Sequence, residues 1–177
     1  MTTLRRFTTD DLFNGGNVNL DHYTENFYLP FYLEYLAKWP EYCSTQESPS
    51  GKVIGYVFGK VEGLGERYPW HGHVTAVTVA PEFRRLGMAH ALMDLLERVS
   101  DEIHAAYFVD LFVRESNAVA LQLYSRIGYS NFRRVIGYYT GAHAEDAWDM
   151  RKALPRDPTG VTSAPVDAIT TDQLEFC

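Results

Sequence analysis

The run Val77-Thr78-Val79-Ala80-Pro81-Glu82-Phe83-Arg84-Arg85-Leu86-Gly87-Met88-Ala89 carries the most explicit chemistry in this sequence. A run of strand-forming residues enters a short turn, and the turn opens an amphipathic helix. The first N–H groups of a helix have no acceptor within it, and the helix dipole makes that end attract anions. Gly87 lets a ligand approach the backbone closely, and Ala89 is small enough to do the same. Arg84 and Arg85 bring charge to the place where a diphosphate would lie. A solvated arginine pair before an amphipathic helix is the alternative. Asn117 and Tyr124 stand two helical turns apart on one face, which the small Ala120 keeps open; the alternative is a buried tyrosine with a satisfied hydroxyl. His73 and Thr75 share one face of a strand. Either can donate to a carboxylate or an amide oxygen, or His73 can be a structural strand histidine. Tyr138 and Tyr139 read as a site pair or as cross-strand aromatics.

These residues need elements to hold them. Residues 4–7 are predicted as a first strand. Thr9-Asp10-Asp11 offers a cap for a helix that Gly15-Gly16 ends. Residues 20–28 read as a loop, and Pro30 suits the first turn of a helix over 31–38. Strands are predicted at 53–58 and 73–79, and apolar positions from Leu86 to Val99 repeat at helical spacing. Residues 107–113 read as a buried strand, Ala120 to Ile127 as a helix closed by Gly128, and 132–139 and 147–150 as late strands. The pattern is that of an α/β domain with a mixed sheet. Phe27, Tyr28, Phe31, Tyr32, Tyr35 and Trp39 occupy more than one helix face, which suits a docking surface or a thoroughly buried helix.

At 177 residues, with 46% hydrophobic and 22% charged, the chain has material for one cored domain and a short extension. The domain is expected over 1–154. Residues 155–177, rich in Pro, Thr, Ala and Asp, are expected as a flexible or partner-docked tail. Net charge is −7 and no basic stripe stands out, so direct nucleic-acid binding is not indicated. No apolar run approaches the roughly 18 residues of a membrane span, and the N-terminus lacks a signal core. Two cysteines, Cys43 and Cys177, argue against a disulfide framework and for a reducing, cytoplasmic setting. Neither lies in a nucleophile motif, and no metal is expected.

Arg84-x-x-Gly87-x-Ala89 after a strand resembles the coenzyme A pyrophosphate loop of the GNAT acetyltransferase superfamily. Asn117-x-x-Ala120-x-x-Leu123-Tyr124-x-x-x-Gly128-Tyr129 resembles its second motif. The resemblance implies a mixed, mostly antiparallel central sheet flanked by helices, with acetyl-CoA as cosubstrate. It implies cofactor contacts from Val77, Val79, Arg84, Arg85, Gly87, Met88, Ala89, Asn117 and Tyr124. A backbone N–H between residues 77 and 79 would stabilise the oxyanion at a strand bulge. The Tyr124 phenol would act as general acid for the departing thiolate.

A finer resemblance, to the catalytic subunits of NatB-type N-terminal acetyltransferases, runs from Met1 to about Leu154. It is carried by Met1-Thr2-Thr3-Leu4-Arg5-Arg6-Phe7, Pro30-Phe31-Tyr32-Leu33, Trp39-Pro40-Glu41-Tyr42, Trp70-His71-Gly72-His73-Val74-Thr75-Ala76, Phe108-Val109-Asp110-Leu111-Phe112-Val113-Arg114 and Asp149-Met150-Arg151-Lys152-Ala153-Leu154. It implies protein N-termini as substrates, with Met first and Asp, Glu, Asn or Gln second. Glu25 and Phe27 would meet the first residue, His73, Thr75 and Ala76 the second, and Tyr138 and Tyr139 the peptide backbone. Phe27 stands where the family often has tyrosine, which removes a hydroxyl; Gly15-Gly16 is a second departure. A large helical-repeat auxiliary subunit is implied, with work on nascent polypeptides at the ribosome through that subunit. An α-amine has a pKa of about 7.7–8.0, so deprotonating it at pH 7 costs only about 1–1.4 kcal/mol, against about 4.6 for lysine. A weak base through water suffices, and Glu25 and His73 are both candidates. The amine is expected to attack the thioester directly. Two other readings stand beside this one: an acetyltransferase for another N-terminal class or a small amine, and a non-catalytic acetyl-CoA-binding assembly subunit.

Overall fold

The computed structural model describes residues 2–14, 18–19, 23–64 and 68–174. The chain divides into two compact units, one of Met1–Lys60 and Val74–Val99, the other of Val61–His73 and Ser100–Cys177. Strands β1 (Thr3–Arg6), β2 (Ser44–Glu47), β3 (Val53–Leu64), β4 (Tyr68–Val79), β5 (Phe108–Arg114), β6 (Ser130–Tyr139), β7 (Glu145–Ala153) and β8 (Ile169–Thr170) follow the order β1-β2-β3-β4-β5-β7-β6-β8, and β3 and β4 contribute to both units. The sheet is mixed and mostly antiparallel: β6 and β8 pair in parallel, while β1/β2, β2/β3, β5/β7 and β6/β7 are antiparallel.

The first unit holds β1 (Thr3–Arg6), α1 (Asp11–Asn14), α2 (Leu29–Lys38), β2 (Ser44–Glu47) and α3 (Met88–Arg98), with the adjoining parts of β3 and β4. Val53, Ile54, Val57 and Phe58 of β3 are sealed from solvent, as their β-branched and aromatic types suggest. Helix α3 buries Met88, Leu92, Met93 and Leu96, one stripe of an amphipathic helix. Gly55 lets these layers close, because a Cβ there would lie 3.0 Å from the Thr78 carbonyl and 3.3 Å from Val79. Pro30 sits in the first turn of α2, where its missing N–H costs nothing. Tyr32 and Tyr35 are buried, and Phe27, Phe31 and Trp39 pack on the same cluster, so most of the aromatics from 27 to 39 belong to the core. Tyr28 remains 88% exposed.

Strand β2 is absent from the reading above because Ser-Thr-Gln-Glu lacks strand-forming apolar residues. Ser44, Thr45 and Gln46 are nevertheless buried: Thr45 Oγ1 donates to the Gly55 carbonyl at 2.8 Å and Gln46 Nε2 to the Met88 carbonyl at 3.3 Å. Arg5 of β1 clamps Asp11 at 2.7 and 2.8 Å and Glu47 at 2.7 Å. The glycine pair expected to end α1 lies outside the described residues.

The second unit contains β5 (Phe108–Arg114), α4 (Ala118–Arg126), β6 (Ser130–Tyr139), β7 (Glu145–Ala153) and β8 (Ile169–Thr170). Of residues 155–177, expected as a flexible or partner-docked tail, 155–174 are described, and parts of this stretch pack on the unit. Ile169 and Thr170 pair with Val135 and Ile136, and Leu174 packs on Val135 and Ala147. Asp157 fixes the turn before it, accepting from the Thr162 N–H at 2.8 Å and its hydroxyl at 2.7 Å. A polar sequence conceals this docking because few apolar side chains are needed to achieve it.

Candidate active site

In the first unit, β4 ends at Val79, a turn spans Pro81–Phe83, and α3 begins after Gly87. Gly87 has φ +81°, and a Cβ built on it would have no atom within 4 Å. The space above this backbone is open, and a side chain there would be strained as well as obstructive. No side chain caps the helix. The leading N–H groups, those of Met88, Ala89 and His90, therefore offer donors at the positive end of the dipole. Arg85, with φ +65°, is exposed. Arg84 Nε donates to the Val79 carbonyl at 3.0 Å, pinning this arginine against the strand end. Met88 is buried and its carbonyl holds Gln46, so its side chain serves the core while its N–H opens the helix. Val79 is buried and Val77 half-buried.

The candidate amine-side residues of this unit divide. Glu25 is exposed in the irregular stretch before α2. Phe27 stacks on Phe31 with centroids 4.0 Å apart and meets Tyr32 edge-on at 6.1 Å. Ala76 packs on the same core. The Thr75 hydroxyl lies 2.9 Å from the Tyr35 hydroxyl, so Tyr35 fixes the threonine.

In the second unit, His73 Nδ1 lies 2.8 Å from Asp110 Oδ1. A carboxylate only accepts, so Nδ1 carries the proton. Asp110 is buried; burial opposes its charge, but His73, His71 and Arg151 outweigh this and hold its carboxyl down at about 2. Phe112 lies 5.7 Å from the His73 ring and stacks on Tyr138 at 4.6 Å. Tyr139 donates to the Phe112 carbonyl at 3.4 Å and covers the Arg114 guanidinium at 3.9 Å. His73, Tyr138 and Tyr139 are thus brought together around Phe112. Asn117 caps α4, its Oδ1 accepting from the Ala120 N–H at 3.1 Å. Tyr124 is buried beside Tyr129, and burial pushes its phenol up to about 12.

Tyr35, Asp110 and Phe112 are the residues that the motifs do not single out. Asp110 has a signal all the same: a carboxylate in the middle of an apolar strand must have partners, because an unpaired buried charge is costly. Cys43 is buried with its thiol pushed up to about 12 by burial and by Glu41, which removes it as a nucleophile. Among the described residues, no group of His, Cys, Asp and Glu is arranged to hold a metal ion.

The pattern of the Acetyltransferase (GNAT) family matches residues 11–129, the stretch that holds the turn, His73, Asn117 and Tyr124. The chain belongs to this family. Its GNAT relatives include the N-terminal acetyltransferase B complex catalytic subunit NAA20 of Arabidopsis thaliana, 54% identical over 99% of each chain. A crystal structure of Chaetomium thermophilum Naa20 in complex with a bisubstrate analogue superposes with a TM-score of 0.88 at 40% identity, covering 96% of this chain and 97% of that one. A GNAT chain in a structure of the NatB acetyltransferase complex bound to CoA and MES matches at 42% identity and a TM-score of 0.78, over 86% of this chain and 99% of that one. In this GNAT fold the turn before α3, and α4 with the residues flanking it, are the two places where the sequence motifs fall.

Proposed function

We propose that this chain transfers acetyl from acetyl-CoA to the N-terminal α-amino group of proteins, as the catalytic subunit of a NatB-type complex. The observation that carries the reading is the open helix start at Gly87, in a chain that aligns from end to end with a NatB catalytic subunit. The N–H groups of Met88 and Ala89, with Arg84 and Arg85, hold the diphosphate of acetyl-CoA. Asn117 contacts the cofactor through its amide N–H groups, its oxygen being engaged by Ala120. Tyr124 serves the thioester sulfur. A backbone N–H between Val77 and Val79 meets the acetyl oxygen.

The substrate keeps its methionine and carries Asp, Glu, Asn or Gln second. Glu25 and Phe27 take the first residue, with Phe27 giving methionine an aromatic contact. His73, Thr75 and Ala76 take the second. With Nδ1–H given to Asp110, protonated His73 still has Nε2–H to donate, and a carboxylate or an amide oxygen satisfies it equally. Tyr138 and Tyr139 hold the peptide backbone. The amine loses its proton through water to Glu25 or, with His73 neutral and Nε2 accepting in place of its donor role, to His73, and attacks the thioester directly. Residues 1–154 form the catalytic domain and 155–177 an accessory segment. A large helical-repeat auxiliary subunit brings the chain to nascent polypeptides at the ribosome, in the cytoplasm; no helix among the described residues is long and apolar enough to cross a membrane.

The test is a peptide panel with the purified complex. Peptides starting Met-Asp, Met-Glu, Met-Asn and Met-Gln should be acetylated and those starting Ser or Ala should not. Equal rates across the panel would refute the specificity, and no acetylation of any peptide would refute the transferase.

A further inference from the structure

We propose that Asp110 is the positioning residue for His73: its carboxylate, backed by His71 and Arg151, holds the Nδ1–H and so commits Nε2 to the second residue of the substrate. This rests on the reading of His73 as a substrate-binding group. Asp110 sits among Phe108, Val109, Leu111 and Phe112 on β5, a place where a carboxylate without partners would be strongly destabilising. Three neighbours carry or can take a positive charge, and the buried Asp149 carboxylate opposes them. His73 Nδ1 is 2.8 Å from Oδ1, and His71 Nε2 is 3.7 Å from Oδ2. The third is the Arg151 guanidinium, on the residue opposite Asp110 across the β5/β7 pair; it bonds Asp149 at 3.3 Å and the Thr162 carbonyl at 3.1 Å and acts on Asp110 through its charge alone.

The two histidines reach one carboxylate because β4 alternates its faces, so residues 71 and 73 point the same way. Between them Gly72 is packed so tightly that a Cβ would overlap the Ser100 hydroxyl. His71 is the fixed member of the pair. Its ring stacks on Phe108 at 4.6 Å and 4°, Nδ1 donates to the Pro69 carbonyl at 2.8 Å, and Nε2 faces Glu62 at 3.7 Å as well as Asp110. Burial works against its charge, yet Glu62 and Asp110 hold its pKa above the ordinary histidine value. The carboxylate therefore faces His71 with one oxygen, at ion-pair distance, and gives the other to the hydrogen bond with His73. A carboxylate accepting from Nδ1 of a histidine fixes both ring orientation and tautomer, and loss of such a partner costs a functional histidine about 10–100-fold where it has been measured at metal sites.

A plain strand-holding role for the pair makes a different prediction, and a double-mutant cycle separates the two. The complete complex is assayed with a Met-Asp peptide for wild type, Asp110→Asn, His73→Ala and the double variant, with coenzyme A calorimetry as the check on folding. Asp110→Asn should raise KM about tenfold, the low end of that range, with kcat within about twofold. In the His73→Ala background the same change should alter KM by less than about twofold. Equal factors with and without His73 overturn the proposal, because Asp110 then acts independently of the imidazole. An unchanged KM in His73→Ala alone defeats the underlying reading of His73, an outcome distinct from the failure of coupling. Should Asp110→Asn lose coenzyme A binding, Asp110→Glu replaces it; its longer arm displaces the oxygen from Nδ1, so KM should rise about threefold or more, and a wild-type KM overturns the proposal.

Discussion

Tyr124 is buried deeply enough that burial pushes its phenol up to about 12, while a thiol leaving group has a pKa of about 8.5. Complete proton transfer from this phenol to a thiolate is uphill by about 5 kcal/mol. In the proposed reaction the phenol therefore contributes a hydrogen bond to the sulfur as charge develops there, and the proton that the amine loses through water to the base is the one the thiolate finally takes. Tyr124→Phe should lower kcat about a hundredfold, as loss of one aimed donor does, and leave coenzyme A affinity within about threefold; steady-state rates and calorimetry measure both. Asp110 makes a second prediction at this scale. Its folded pKa of about 2 lies below the unfolded value of about 3.9, so its contribution to stability is full above about pH 4 and is lost as pH falls toward about 2. The difference in urea stability between wild type and Asp110→Asn should shrink across that interval. A constant difference would show that the carboxylate charge is not what stabilises. That Arg84 and Gly87 lie in a turn between strand and helix was legible from the sequence, because such a turn depends on local residue types. Asp110 and Tyr35 were not, because their meaning lies in partners 37 and 40 residues away.

Among the elements, β3, β4, β5 and α3 declare themselves by period and composition, since each buries apolar side chains at its own spacing, and α4 by an apolar face of which Tyr124 is the buried member. Strand β2 and the C-terminal segment do not. Thr45 and Gln46 are buried through hydrogen bonds rather than apolar area, and β8 is two residues held beside β6. Such elements are stabilised by cross-strand partners that no local window contains. The C-terminal segment has a consequence for the site: Leu174 caps the cluster of Val135 and Ala147 on which Phe112, Tyr138 and Tyr139 also pack. Leu174→Ala should destabilise the chain by about 2 kcal/mol or more, as a buried leucine truncation does, and raise KM for peptide more than for acetyl-CoA. Thermal unfolding and two-substrate kinetics report the two effects. An unchanged Tm would remove the segment from the structural account.

For the whole molecule, the family was legible because two short motifs fell in order on the elements that GNAT chemistry uses, and longer runs matched one branch of it. The central claim is that the turn before α3 grips a diphosphate. Calorimetry on the complex should compare coenzyme A with pantetheine, which has the thiol arm and lacks the diphosphate. The account predicts that coenzyme A binds at least about a hundredfold more tightly, about 2.7 kcal/mol. Equal affinity for the two, or no binding of coenzyme A to the folded complex, would contradict it.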